Sequence, residues 1–262
     1  MTTSPPIVLC FSGSDPSGGA GIQADITAIH YLGAHAACVI TAITVQNTQN
    51  VFSFIPTQAE LLLQQADAIM QDMPIKAIKI GMLGSVDNVL ALSKWLQSFP
   101  DIPVVLDPVT VANSGGSLGE QTVVGAITQH LLPRATIVTP NIIEAHQFAG
   151  STLNLAECAQ YFLAQHCPYV LIKGSHANTD EVTNVLYHAS GSMDTQTWPR
   201  LPHRYHGSGC TLASSIAAFL AHGLSLPEAV QKAQAYTWEC LANAYQPGKG
   251  QYIPQRYLKD LK

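Results

Sequence analysis

Short apolar runs alternate along the chain with longer segments in which apolar positions recur every three or four residues. The short runs predict β-strands and the longer segments predict helices. Strands are predicted at Ile7–Phe11, Ala37–Val45, Ala77–Ile80, Val104–Leu106, Thr136–Val138 and Val170–Ile172. Helices are predicted at Ile22–Leu32, Gln58–Met73, Val86–Phe99, Gln121–Leu132, Ile142–Ala149, Leu155–His166, Ser208–His222 and Leu226–Tyr245.

Alternation of strand and helix is typical of an α/β fold with a mostly parallel central sheet and helices on both faces. Between Val182 and Trp198 the pattern changes to two short alternating strands around Ala189–Ser192, which indicates a small hairpin at the sheet edge. Charged residues make up only 11% of the 262 residues and no linker interrupts the pattern. We therefore expect a single domain over residues 1–262.

Charge and composition exclude several kinds of partner. The net charge is −5, and Lys and Arg are scattered, so a nucleic-acid partner is not expected. No apolar run approaches the roughly 20 residues that span a bilayer, and the first residues do not resemble a signal peptide. The six cysteines form no Cys-x-x-Cys pair, which indicates neither a zinc site nor a disulfide framework. We expect a cytoplasmic protein without a membrane partner.

The segment from His206 to Cys210 places a glycine-rich turn directly before an Ala/Ser-rich helix. The unpaired amides of Gly207, Ser208, Gly209 and Cys210 would lie at the positive end of the helix dipole, where phosphate is stabilised. The same dipole predicts a lowered pKa and thiolate character for Cys210. An inert core cysteine is the alternative, but the arrangement favours a small-molecule kinase.

A second glycine-rich turn, Ser12–Gly21, follows the first strand, and polar residues follow most of the others. Ligands of open parallel sheets bind beyond the carboxyl ends of the strands, so these residues are candidates for one site. Each has an ordinary alternative as a helix cap, a turn residue or a surface side chain. The candidates are Asp25, Gln46, Met82, Asp107, Asn141, Glu144 and Lys173.

Seven motifs in order along the chain resemble those of the hydroxymethylpyrimidine (phosphate) kinases of thiamine biosynthesis. They are Gly13–Asp25, Ile40–Thr48, Lys79–Leu83, Val105–Val109, Thr139–Glu144, Val170–Gly174 and His206–Leu212. The resemblance implies a ribokinase-like three-layer sandwich. It also implies transfer of the γ-phosphoryl of ATP, with Mg²⁺, to 4-amino-5-hydroxymethyl-2-methylpyrimidine and then to its monophosphate. Relatives are commonly homodimers, so a homodimer is expected.

The resemblance also implies roles for individual residues. The pyrimidine would bind at Gly13, Ala20, Asp25, Gln46, Met82 and Val109, and Mg²⁺ at Asp107 and Glu144. Asn141, Lys173 and Ser208 would contact the nucleotide phosphates. The turn Gly207, Ser208 and Gly209 would hold the transferred group, with Cys210 as the base.

Five positions depart from the common family pattern and leave alternatives open. Thr110 and Asn113 remove an apolar group and a positive charge near the substrate, Arg204 and Tyr205 precede the phosphate turn, and Gln234 replaces a lysine of the final helix. A pyridoxal kinase of the same superfamily and a binding protein without catalysis are the two alternatives. The first motif, Met82 and Cys210 favour the pyrimidine.

Overall fold

The computed structural model describes residues 4–109, 121–191 and 193–257. The strands in these ranges are β1 Ile7–Ser14, β2 His35–Gln46, β3 Val51–Pro56, β4 Ile75–Ile80, β5 Val104–Leu106, β6 Ile137–Val138, β7 Tyr169–Ile172, β8 Glu181–His188 and β9 Met193–Pro199. They form one nine-stranded sheet with the strand order β3-β2-β1-β4-β5-β6-β7-β8-β9.

The six central strands, from β2 to β7 in sheet order, are parallel, and the strands at the two edges are antiparallel. The predicted hairpin is confirmed, because β8 and β9 pair at one edge. The opposite edge carries a strand that the sequence analysis did not predict, β3, which pairs with β2. Its turn is closed by the side chain of Asn47, which accepts hydrogen bonds from the amides of Gln49 and Asn50.

Helices cover both faces of the sheet, as predicted. The helices are α1 Gly21–Tyr31, α2 Ala59–Asp72, α3 Val86–Leu96, α4 Gln121–Ala126, α5 Ile142–Ala149, α6 Leu155–Ala164, α7 Ser208–Ala221 and α8 Leu226–Ala242. One apolar core lies between the sheet and α2 to α6, with Leu62 and Phe162 fully buried. The other lies beneath α1, α7 and α8, with Ile29 and Ile216 fully buried. No helix within the described ranges is long and apolar enough to cross a membrane.

One predicted helix has a different form. The segment expected as a single helix, Gln121–Leu132, is α-helical only to Ala126 and then continues as a π-helical turn, Ile127–Leu131, and a 3₁₀ turn, Leu132–Arg134. Pro133 lies in the last turn and has no amide hydrogen to continue an α-helix. The difference lies away from the carboxyl ends of the strands.

Candidate functional site

A cavity of about 720 Å³ lies beyond the carboxyl ends of the parallel strands. Residues that follow β1, β2, β4, β5, β6 and β7 line it, together with the start of α7 and part of α8. Every residue predicted for the site lines this cavity except Asp25. These residues are Gly13, Ala20, Gln46, Met82, Asp107, Val109, Asn141, Glu144, Lys173, Gly207, Ser208, Gly209 and Cys210.

The segment His206–Gly209, which we call the anion turn, leads into α7 and requires glycine at its centre. Gly207 has a φ of 78°, and a Cβ there would lie 1.9 Å from the carbonyl oxygen of Gly19. The helix begins at Ser208 without a side-chain cap. The first amides of α7 therefore have no partner within the helix and lie at the cavity, as an anion site requires.

Cys210 lines the cavity, but its electrostatics differ from the prediction. Burial raises the pKa of the thiol above its ordinary value, and the carboxylates of Asp107 and Asp25 raise it further. The charge of Lys79 acts in the opposite direction but does not outweigh them. The predicted lowering of the pKa by the helix terminus is therefore wrong, because removal from water is the stronger effect here.

The segment Asp15–Ala20, which we call the first turn, is organised around the carboxylate of Asp15. This group accepts hydrogen bonds from the amides of Ser17 and Ala20 at 2.8 Å each, and its Oδ2 lies 2.8 Å from Nε2 of His206. Burial alone would raise the pKa of Asp15, but the contacts with His206 and Ser17 lower it to about 2. The two turns are thereby joined across the cavity edge.

Asp107 and Glu144 are the two carboxylates whose charges act most strongly on the Lys173 ammonium group. Oδ1 of Asp107 accepts hydrogen bonds from Lys173 Nζ at 2.9 Å and from Thr139 at 3.1 Å, whereas Oδ2 receives none from the described residues. Glu144 closes a capping box with Asn141 through Oε2. Burial raises the pKa of Glu144 to about 7, with Lys173 lowering it and Asp107 raising it.

This set of oxygen donors fits a magnesium ion. Mg²⁺ commonly takes one or two protein carboxylates and completes its shell with water and phosphate oxygens. Asp107 and Glu144 each keep one carboxylate oxygen free of hydrogen bonds from the described residues. Within the same residues no cluster of three or more His, Cys, Asp or Glu side chains is found, so a closed, fully protein-ligated metal centre is not present there.

Asp25 does not contact the cavity, and its predicted place in the pyrimidine pocket is corrected by the structure. Its side chain is fully buried, and both oxygens accept hydrogen bonds from Lys79, at 2.9 and 3.0 Å. The hydroxyls of Ser12 and Ser214 donate to it as well, at 2.7 and 2.6 Å. Asp25 thus joins β1, α1, β4 and α7 behind the cavity wall.

The predicted acceptor pocket otherwise assembles from β1, β2, β4 and the end of β5. Nε2 of Gln46 donates to the hydroxyl of Thr44 at 2.8 Å, which leaves the amide oxygen of Gln46 to accept from a ligand. The sulfur of Met82 packs on Gly13, where a Cβ would be 3.4 Å away. Thr110 and Asn113, two of the departures from the family pattern, lie outside the described residues.

The opposite end of the cavity includes residues that the sequence analysis did not predict. Trp198 of β9 and Trp238 of α8 stack with ring centroids 6.0 Å apart. The indole nitrogen of Trp198 and the hydroxyl of Thr237 are buried and have no hydrogen-bond partner among the described residues. Neither tryptophan belongs to a recognisable motif, and only folding brings the hairpin against α8.

The other three residues that depart from the motif pattern, Gln234, Arg204 and Tyr205, also line the cavity. Gln234 is buried, and its amide oxygen accepts a hydrogen bond from Asn184 at 2.9 Å, whose own oxygen accepts from the amide of Gly174. Arg204 and Tyr205 lie along the wall, where the backbone of Arg204 pairs with Tyr252. A neutral hydrogen-bonded side chain thus stands where the resemblance led us to expect a lysine.

Comparison with known proteins gives a consistent result over nearly the whole chain. The profile of the phosphomethylpyrimidine kinase family matches residues 15–255. The chain is 40% identical over 249 residues to a hydroxymethylpyrimidine/phosphomethylpyrimidine kinase of Rhizobium meliloti, with 91% of each chain covered. It is 34% identical to the thiamine biosynthesis bifunctional protein of Geobacter sulfurreducens, covering 93% of this chain and 50% of that one.

A similar solved structure is that of pyridoxal kinase from Staphylococcus aureus in complex with pyridoxal. It superposes with a TM-score of 0.88 at 28% identity and covers 97% of this chain and 94% of that one. This confirms the ribokinase-like α/β fold expected from the motifs. With its seven motifs, its cavity and a family match over most of its length, the chain belongs to the phosphomethylpyrimidine kinase family.

Proposed function

We propose that the protein transfers the γ-phosphoryl group of ATP to 4-amino-5-hydroxymethyl-2-methylpyrimidine and then to its monophosphate, giving the pyrophosphate used in thiamine synthesis. The observation that carries this proposal is the layout of one cavity. The anion turn and the Asp107–Lys173–Glu144 group lie between an acceptor pocket at one end and an apolar aromatic end at the other. Such a cavity can align an acceptor and a nucleoside triphosphate for in-line transfer.

The acceptor pocket suits an aminopyrimidine. The free amide oxygen of Gln46 can accept from the exocyclic amino group, while Met82 and Val109 cover the apolar face of the ring. Gly13 and Ala20 leave room for the ring against the backbone. We expect Gln46→Ala to raise the KM for the pyrimidine at least tenfold with a smaller change in kcat, because about 1.4 kcal/mol of binding free energy is lost.

The transferred group would lie on the anion turn. The amides of Gly207, Ser208 and Gly209, with Lys173 and Asn141, stabilise its negative charge, and Asp107 and Glu144 would hold Mg²⁺. Bound there, the metal ion would neutralise charge on the nucleotide phosphates. The hydroxymethyl oxygen forms a bond to the γ-phosphorus as the bond to the ADP oxygen breaks, and the thiolate form of Cys210, whose own proton has gone to solvent, takes the hydroxymethyl proton.

Because the pKa of Cys210 is raised, only the thiolate fraction of the enzyme can take this proton, and a small fraction suffices where little activation is needed. Phosphoryl transfer proceeds largely by cleavage of the bond to the leaving group, so it needs little nucleophile activation in advance. We expect Cys210→Ser to lower kcat by roughly a hundredfold, the usual scale for removal of a general base. A kcat close to that of the wild type in this variant would remove Cys210 from the mechanism.

The nucleotide base would lie at the aromatic end. Adenine offers a flat apolar face and ring nitrogens that accept hydrogen bonds, and the buried donors of Trp198 and Thr237 have no partner among the described residues. The stacked pair Trp198 and Trp238 provides a wall for the ring. We expect Trp198→Phe to weaken binding of a non-hydrolysable ATP analogue, measured by calorimetry, more than it affects the KM for the pyrimidine.

The direct test mixes the purified protein with ATP, Mg²⁺ and the hydroxymethylpyrimidine and resolves the products over time, with pyridoxal as a competing acceptor in a parallel reaction. We expect the monophosphate first and the pyrophosphate after it. Monophosphate alone would limit the protein to the first step. Faster phosphorylation of pyridoxal than of the pyrimidine would overturn the proposal.

We further propose that the protein acts as a cytoplasmic homodimer. Ile43, Val45 and Ile55 share one face of the β2–β3 pair and are 62%, 57% and 75% exposed, and Phe52 beside them is 64% exposed. An apolar edge of this kind is typical of a surface that a second copy covers. Sedimentation of Ile55→Lys against the wild type tests this: a monomer would support a dimer formed through this edge, and an unchanged dimer would place the interface elsewhere.

A further inference from the structure

Arg256 is a buried cation that the proposed mechanism has not used. Its side chain is 3% exposed, and it forms no ion pair with a carboxylate in the described part of the chain. Its guanidinium group donates instead to uncharged oxygens. Nε donates to the hydroxyl of Thr211 at 2.9 Å, and one terminal nitrogen donates to the carbonyls of Gly19, at 2.5 Å, and Gly207, at 3.5 Å.

Two of these acceptors lie in the two glycine-rich turns, and the third lies near the start of α7. Gly19 belongs to the segment Asp15–Ala20 and Gly207 to the anion turn, while Thr211 of α7 itself donates to the carbonyl of Gly207 at 2.8 Å. The contact between Asp15 and His206 joins the same two turns at the cavity edge. Arg256 therefore forms a second connection between them, beneath the cavity floor.

The backbone around Arg256 is itself fixed. The hydroxyl of Tyr236 donates to the carbonyl of Arg256 at 2.7 Å, and the amide of Gln255 donates to the carbonyl of Cys240. Both anchors lie on α8. The guanidinium group thus extends from a rigid helix to the turns, which limits its freedom before any ligand binds.

A guanidinium group buried without a carboxylate partner is expensive to desolvate, and no described residue forms an ion pair with this one. Its planar fork donates to the hydroxyl of Thr211 from Nε and to the carbonyl of Gly19 from a terminal nitrogen, two separate positions that the single nitrogen of a lysine cannot both occupy. We propose that Arg256 is a positioning residue for phosphoryl transfer: it holds the two glycine-rich turns in register, and its buried positive charge favours the anionic phosphoryl group on the anion turn. This inference rests on the proposed kinase function.

The test compares Arg256→Met with Arg134→Met in the kinase assay. Arg134 is a matched control because it also donates to two backbone carbonyls, those of Phe99 and Ile102, but contacts neither glycine-rich turn. We expect Arg256→Met to lower kcat about a hundredfold, the scale of one lost oxyanion contact, with less than a threefold change in the KM for the pyrimidine. Arg134→Met should keep both constants within threefold of the wild type.

Two further measurements separate positioning from general stability. Added guanidinium ion should restore the activity of Arg256→Ala at least tenfold and leave Arg134→Ala unchanged. Calorimetry should show weaker binding of a non-hydrolysable ATP analogue to Arg256→Met than to Arg134→Met. A folded Arg256→Met with wild-type kcat and analogue affinity would overturn the inference.

If Arg256→Met does not fold, Arg256→Lys decides. Lysine keeps the charge but cannot bond Thr211 and the carbonyl of Gly19 from two separate nitrogens, so a kcat at least tenfold lower in the folded protein supports the inference and an unchanged kcat contradicts it. The wild-type protein is assayed beside every variant. Absence of products from the wild type would reject the proposed function itself, whereas a difference confined to Arg256 variants concerns only this residue.

Discussion

Two lysine–aspartate pairs in this molecule have the same distance between Nζ and Oδ1 but differ in burial and in how their carboxylate oxygens are used. Lys79 and Asp25 lie 2.9 Å apart with both side chains fully buried, and Lys173 and Asp107 lie 2.9 Å apart with 11% and 2% of their side chains exposed. In the first pair both carboxylate oxygens are used by Lys79, Ser12 and Ser214. In the second, Oδ2 of Asp107 receives no hydrogen bond from a described residue.

The difference shows that pair distance alone does not indicate a role. Burial lowers the pKa of Lys79, but the charge of Asp25 raises it well above its ordinary value, so Lys79 keeps its charge in the protein interior. The Asp107 pair borders the cavity and can exchange its partner for a ligand. We therefore assign the first pair to the architecture of the site and the second to its chemistry.

The largest loss of activity is expected from Asp107→Asn. Loss of the carboxylate removes a metal ligand and releases Lys173, so kcat should fall by about a thousandfold or more, equivalent to about 4 kcal/mol in the barrier. The urea midpoint should change little because the group borders a solvated cavity. Steady-state kinetics of this variant and of the surface control Asp101→Asn provide the measurement, and near-normal kcat would contradict the assignment.

Asp25→Asn should instead lower the stability of the protein more than its activity. The change leaves the buried charge of Lys79 without a counter-ion, so the free energy of unfolding should fall by about 3 to 5 kcal/mol. Activity per folded molecule should fall less than tenfold. Urea unfolding, with kinetics below the transition, tests this; a stable variant with a hundredfold lower kcat would return Asp25 to the substrate pocket.

A double-mutant cycle sharpens the contrast between the two pairs. Asp25→Asn and Lys79→Gln each leave one buried charge, whereas the double variant leaves none and keeps hydrogen-bonding groups. The double variant should therefore be more stable than the sum of the single effects by about 2 to 3 kcal/mol. The same cycle at Asp107 and Lys173, with their neutral counterparts, should give a markedly smaller coupling; equal couplings would remove the distinction.

A smaller, pH-dependent effect is expected at Asp15, whose partner His206 is 14% exposed. Its folded pKa of about 2 lies below the ordinary value of 3.8, so the carboxylate contributes stability above pH 3.8 that is lost as the pH falls toward 2. Urea unfolding should find the wild type more stable than Asp15→Asn at pH 6. That difference should narrow by about 1 kcal/mol by pH 3, and a constant difference would refute the lowered pKa.

The sequence predicted much of this arrangement because parallel α/β folds place motifs in a regular way. Each motif that follows a buried strand must lie at the carboxyl edge of the sheet, so Gln46, Met82, Asp107 and Lys173 converge once the strands are known. The αL glycine of the anion turn also follows from local sequence. These predictions need no knowledge of long-range packing.

The predictions that failed depend on packing between distant segments. Asp25 and Lys79 are 54 positions apart, and only the packing of α1 on β4 shows that they neutralise each other. The pKa of Cys210 was expected to follow the helix dipole, but burial outweighs it. Strand β3 was missed because Val51–Pro56 is half exposed and packs no complete apolar face.

Arg256 also affects when the protein can become active during its synthesis. The carboxylates, the anion turn and Cys210 have all been translated by residue 210, yet the connection beneath them comes from a residue 46 positions later. A nascent chain that stops before Arg256 would carry every catalytic group without the contact that sets the two turns. Competence would then appear late, as the segment that contains Arg256 leaves the ribosome and docks on α8.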